Sequence, residues 1–100
     1  MRYTVSFAPE TEAQLLSLYR YIAGEASPDI AEHYIGAIIE RCEKLETFPL
    51  RGTPRDDIRP GLRTIPFKRR VVIAYSVIED RVVVLGIYYG GQDIETLLRG

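Results

Sequence analysis

Between positions 51 and 70 the chain places Arg51, Arg55, Arg59, Arg63, Lys68, Arg69 and Arg70 against only Asp56 and Asp57, a local charge of +5. Cations at this density recruit phosphate or carboxylate groups. Prolines and glycines punctuate the segment and fix the loop that carries the charge, which favours a partner-binding surface over a solvated run. The whole chain nevertheless carries a net charge of −1 and a pI near 5.8, with about −4 in its first half and +3 in its second. That balance argues against a general polyanion binder.

Other reactive side chains are sparse. One histidine and one cysteine leave no HExxH or CxxC spacing, so no metal site and no cofactor are expected. His33, beside Glu32, is expected to be an ordinary helical residue rather than a general base. Cys42 has no neighbouring histidine to activate a thiolate and is expected to be a small core residue. Gly90-Gly91 lacks the flanking glycines or lysine of a phosphate loop and is expected to turn the chain. Tyr88 and Tyr89 are adjacent on a strand and must point to opposite faces; one belongs to the core and the other is available as an interface anchor.

These side chains need elements to hold them. Arg2 to Phe7 alternates polar and apolar residues, the period of a strand. Pro9 at a first helical turn, followed by Leu15, Leu18, Tyr19 and Ile22, predicts a helix closed by Gly24. Ser27-Pro28-Asp29 predicts a second helix start, with an apolar face of Ala31, Tyr34, Ile38, Leu45 and Phe48 running until Pro49. A connection this short folds the two helices into an antiparallel hairpin. Leu50 to Pro60 reads as a loop. Gly61 to Phe67, Arg70 to Ile78 and Arg81 to Tyr89 read as three strands of a meander, the last two joined at Glu79-Asp80. A short helix over Gln92 to Leu98, with Asp93 as its cap, ends the chain.

The expected fold is therefore α+β: an antiparallel β-sheet packed against an N-terminal helical hairpin, in the order βααβββ with a short C-terminal helix. One hundred residues make one domain, 1–100. No apolar run is long enough to span a membrane, the N-terminus lacks a signal-peptide core, and the single cysteine suits a reducing compartment, so the cytoplasm is the expected location.

Several stretches resemble the RelE/ParE superfamily of type II toxins, and more closely its ParE branch. They are Gln14-Leu15, Leu18 and Tyr21-Ile22; Ala31 and Tyr34; Leu45, Phe48-Pro49 and Gly52; Gly61-Leu62-Arg63; Arg70 to Tyr75 with Val77; and Val82 to Val84 leading into Ile87-Tyr88-Tyr89-Gly90-Gly91-Gln92-Asp93. None is a catalytic signature; the specificity lies in their combined order. The resemblance implies a toxin neutralised by a small ParD-like antitoxin in a hetero-oligomeric complex, with inhibition of DNA gyrase as the ParE-like activity. RelE-like members instead cut mRNA on the ribosome and are very basic.

The near-neutral charge and the lack of a catalytic constellation favour an inhibitory binding protein over an enzyme, with nucleic acid met only indirectly. Arg59, Arg63, Lys68, Arg69, Tyr89 and Asp93 form the expected contact region. The alternative is a metal-independent, ribosome-dependent endoribonuclease using Arg63, Arg69, Arg81 and Tyr89, since Tyr89 stands where ParE-like closing motifs often carry histidine. A non-toxic family member retained as a binding partner is the third reading.

Overall fold

The computed structural model describes residues 2–90, 92 and 94–99. The expected cap Asp93 and the second glycine of Gly90-Gly91 lie outside the described residues. The elements are β1 (Thr4–Phe7), α1 (Pro9–Glu25), α2 (Pro28–Glu43), β2 (Thr53–Pro54), β3 (Leu62–Phe67), β4 (Val71–Ile78), β5 (Arg81–Tyr89) and α3 (Ile94–Arg99). Short 3-10 turns at Lys44–Glu46 and Pro49–Arg51 join α2 to β2.

Both helix starts follow the sequence chemistry. Pro9 and Pro28 open α1 and α2 where a missing N–H costs nothing, and the Ser27 hydroxyl accepts from the Ile30 N–H at 3.1 Å. Gly24 does not close α1; it lies inside the helix, which continues to Glu25.

The expected meander of β3, β4 and β5 is antiparallel throughout, and β1 adds one parallel pair at its edge, giving the order β1-β5-β4-β3-β2. The parallel pair follows from the path of the chain. The hairpin carries it from β1 across one sheet face, and the meander returns it to pair Thr4–Phe7 with Arg81–Val84. The sequence did not reveal β2, a two-residue strand containing a proline inside the expected loop.

β4 is apolar on both faces because both are covered. Val71, Ile73 and Tyr75 join Leu15, Leu18, Ile38, Cys42 and Leu45 beneath the hairpin. Ala74 meets Leu62, Ile58, Tyr88 and Leu98 on the other face, under α3. A bulge at Leu85 shifts the register of β5, so that Ala74 pairs with Gly86 and Tyr75 with Val84. Tyr88 then folds back over Gly86, where a side-chain Cβ would fall on its ring.

Beyond Val84, β5 keeps β4 on one side but has no strand on its β1 side, and α1 supplies the missing partners. Gln14 Oε1 accepts from the Ile87 N–H at 2.7 Å, and Thr11 Oγ1 donates to the Val84 carbonyl at 2.8 Å. Neither bond is readable from periodicity, because each joins residues 73 positions apart.

The helix after Glu43 corrects a second expectation. Instead of running to Phe48, it tightens at Lys44–Glu46, which keeps Leu45 buried and releases Phe48 from the helical face. Pro49 disfavours α-helical geometry at Phe48, which sits at φ −129° and ψ 70°, and its side chain is 65% exposed rather than in the core.

The segment that follows is pinned from below. The buried Tyr75 hydroxyl donates to the Pro49 carbonyl at 2.7 Å and accepts from the Gly52 N–H at 2.9 Å. Tyr75→Phe should lower unfolding free energy by about 2–4 kcal/mol, because two buried backbone groups lose their partner at about 1–3 kcal/mol each. Urea denaturation measures it; a loss below about 0.5 kcal/mol would show that this bridge does not hold the segment.

Candidate partner-binding surfaces

The structure divides the basic run into two populations, with the exposed Arg51 apart from both. Three arginines are engaged by groups of the chain itself, Arg55 and Arg59 while staying at the surface. Arg63 donates to the Leu50 and Gly52 carbonyls at 3.0 and 2.8 Å. Arg59 donates to the Leu98 carbonyl at 2.7 Å and so fastens α3. Arg55 pairs with Asp57 at 3.0 Å and Glu95 at 3.5 Å, and its hydrogen bond to Asp57 pushes its pKa upward.

Lys68, Arg69 and Arg70 turn outward. They form the exposed connection between β3 and β4, with Lys68 in the left-handed region at φ 53°. The Lys68 ammonium lies 5.3 Å from the Tyr34 ring centre and 5.6 Å from that of Phe67, and the two rings meet edge to face at 5.5 Å. Arg69 and Arg70 border a cleft of about 340 Å³ whose far wall is Tyr88, Tyr89 and Gln92. Gln92 Oε1 accepts from the Tyr89 N–H at 2.8 Å, which holds the tail against the end of β5.

The expected contact region is thus only partly assembled. Lys68, Arg69 and Tyr89 share one end of the sheet; Arg59 and Arg63 are held by backbone carbonyls; Asp93 lies outside the described residues. Of the suspected nuclease set, Arg69 and Tyr89 line one cleft, whereas Arg63 and Arg81 lie elsewhere. Arg81 opens β5 and Tyr89 closes it, about 26 Å apart along an extended strand. Arg63 sits mid-sheet, paired with Tyr75.

A second surface runs between α2 and β3. Ala37, Arg41, Phe67 and Lys68 line a trough of about 440 Å³. Glu40 and Lys44 belong both to it and to an adjoining depression of about 390 Å³ that reaches Phe48 and Arg51. Phe48 and Leu50, 65% and 61% exposed, project at this end from the segment pinned by Tyr75 and Arg63. Apolar side chains displayed on a rigid backbone are what an interface anchor requires. Sequence reasoning placed Phe48 in the core and did not single out Arg41. The signal available for the first was the proline that follows it.

His33 is exposed, with Nδ1 2.9 Å from the Asp29 carbonyl oxygen. Cys42 is fully buried, and burial, reinforced by the nearby Glu43 charge, pushes its thiol up to about 12. Among the described residues no group of three or more His, Cys, Asp or Glu converges, and no helix is long and apolar enough to cross a membrane.

Comparison with known proteins supplies context for these surfaces. The family described as the ParE toxin of the type II toxin-antitoxin system parDE matches residues 5–94. No curated protein matches. Among solved structures, the chromosomal ParDE TA system from P. aeruginosa is similar at a TM-score of 0.78 and 20% identity, covering 88% of this chain and 96% of that one. The toxin-antitoxin complex RelBE2 from Mycobacterium tuberculosis is similar at 0.66 and 23%, covering 90% and 100%. At these identities the likeness is one of fold.

Burial raises the phenols of Tyr75 and Tyr88 as well as the Cys42 thiol. The folded chain therefore keeps protons that the unfolded chain releases, and stability should fall as pH rises above about 9, with the thiol's share of the loss complete near 12. Thermal melts across this range should shift steadily downward, and a maleimide at pH 8 should label Cys42 only after unfolding. Rapid labelling of the folded chain would show that the thiol is not held in the core.

Proposed function

This chain belongs to the ParE toxin family of type II toxin-antitoxin systems, and we propose that it arrests growth in the cytoplasm by binding and inhibiting DNA gyrase, restrained by a cognate ParD-like antitoxin. The observation that carries the gyrase reading is the fate of the arginines. Metal-independent cleavage of RNA needs side chains that converge on one phosphodiester to activate its 2′-hydroxyl, stabilise charge and protonate the leaving group. Here Arg63 is committed to two carbonyls and Arg81 lies at the far end of β5 from Tyr89. The exposed cations Lys68 to Arg70 sit beside Tyr34, Phe67, Tyr88 and Tyr89, a composition suited to gripping a partner.

The antitoxin reading is supported by the family and by the two similar structures, both drawn from toxin-antitoxin systems. An exposed pair such as Phe48 and Leu50 is a liability on a chain that works alone and is natural on one that spends its time covered.

Induced expression without antitoxin should arrest growth, with a DNA-damage response and intact ribosome-bound message. Purified chain should inhibit gyrase supercoiling, and joint reversal of Lys68, Arg69 and Arg70 to Glu should weaken that inhibition at least about tenfold. Codon-associated cuts in message that disappear in Tyr89→Phe would establish the nuclease instead. Unchanged supercoiling at saturating wild-type chain would remove gyrase as the target.

A further inference from the structure

The face along α2 carries opposite charge at its two ends. At the trough beside β3, Arg41, Lys44 and Lys68 stand against one carboxylate, Glu40. At the adjoining depression, Glu40, Glu43 and Glu46 stand against Lys44 and Arg51. Glu40 and Lys44 belong to both ends and lie 3.8 Å apart in the middle of the face, where their side chains are largely exposed. The apolar groups are divided in the same way. The trough has a floor of Ala37, Pro66 and Phe67, whereas the acidic end carries the projecting ring of Phe48.

The cationic end is incomplete by itself. Arg41 Nε is a buried side-chain nitrogen with no hydrogen-bond partner among the described residues, and a buried donor calls for an acceptor. Main-chain pairing along β3 cannot complete it. The Leu62 carbonyl accepts from the Arg55 N–H at 2.7 Å and Thr64 pairs with Thr53 of β2, so by the two-residue period of a strand Pro66 faces that same edge next. Proline brings no N–H to the ladder, which leaves side chains to hold whatever covers the trough.

A surface whose ends complement each other fits a second copy of itself turned by a half rotation, the arrangement in which every contact occurs twice. We infer that this face is a self-association surface, on which two copies of the chain cross α2 on α2 about their Glu40–Lys44 pairs. Phe48 of each copy enters the trough of the other, over its Phe67, and Glu43 and Glu46 of each copy face Arg41 of the other. One of these carboxylates supplies the acceptor that the buried Nε lacks. A half rotation closes the assembly at two copies. It also covers Phe48 in a chain that has no other partner, and it depends on neither the gyrase nor the antitoxin reading.

The test is sedimentation equilibrium on the purified full chain alone, with circular dichroism melts confirming that each variant is folded. The wild-type chain should pass from monomer to dimer with a dissociation constant at or below about 100 μM. Arg41→Glu alone, and Glu43→Lys with Glu46→Lys, should each weaken the dimer at least about tenfold, because like charges then meet twice. Mixing the two variants should restore a mixed dimer to within about threefold of wild type, since both contacts then join opposite charges. Phe48→Ser should weaken the dimer at least about tenfold through its lost apolar anchor. A wild-type chain that stays monomeric at about 1 mM would overturn the self-association, and growth beyond the dimer would overturn the half rotation. Wild-type affinity in the charge variants, or no recovery on mixing them, would overturn the pairing of Arg41 with the acidic end. Wild-type affinity in Phe48→Ser would overturn the anchor.

Discussion

A carbonyl that leaves the ladder of a sheet or helix still needs a donor, and around the 48–62 connection and the C-terminal helix this chain meets that need with side chains from the sheet and its loops. Tyr75 satisfies Pro49, Arg63 satisfies Leu50 and Gly52, and Arg59 satisfies Leu98. The rest of the surface follows. Because backbone carbonyls engage Arg59 and Arg63, the basic run does not act as one patch, and its densest exposed charge without such engagement is at Lys68 to Arg70. Because the connection is fastened from beneath, Phe48 and Leu50 are held out in a fixed place instead of collapsing onto the core.

The two outward surfaces meet at Lys68. Its ammonium rests over Tyr34 and Phe67, which places it at the mouth of the α2–β3 trough, while its backbone forms the turn that presents Arg69 and Arg70. A molecule that covers Lys68 from the trough therefore also covers part of the basic turn.

Elements whose signals are local were legible in the sequence. The period-2 runs of β3 to β5 and the proline-started helices lie close to where their residues place them, and burial of β4 on both faces followed from its double apolar pattern. What depends on distant partners was not legible. The parallel pairing of β1 with β5, the bulge at Leu85 and the caps from Gln14 and Thr11 arise from contacts across most of the chain. Phe48 fits a helical spacing, yet the proline after it overrides that spacing one residue before the helix would have buried it. For the surfaces, charge counting located the basic segment but could not tell an arginine that reaches solvent from one that reaches a carbonyl. Arg41, isolated among the residues of α2, carries no sequence signal at all.

The division of the arginines can be measured directly by treating the chain with phenylglyoxal, alone and with gyrase, and reading modification at each arginine by mass spectrometry. The account predicts that Arg69 and Arg70 react readily in the free chain while Arg59 and Arg63 are protected, and that gyrase then shields Arg69 and Arg70. Equal reactivity of all four in the free chain, or Arg69 and Arg70 left open in the presence of gyrase, would contradict it.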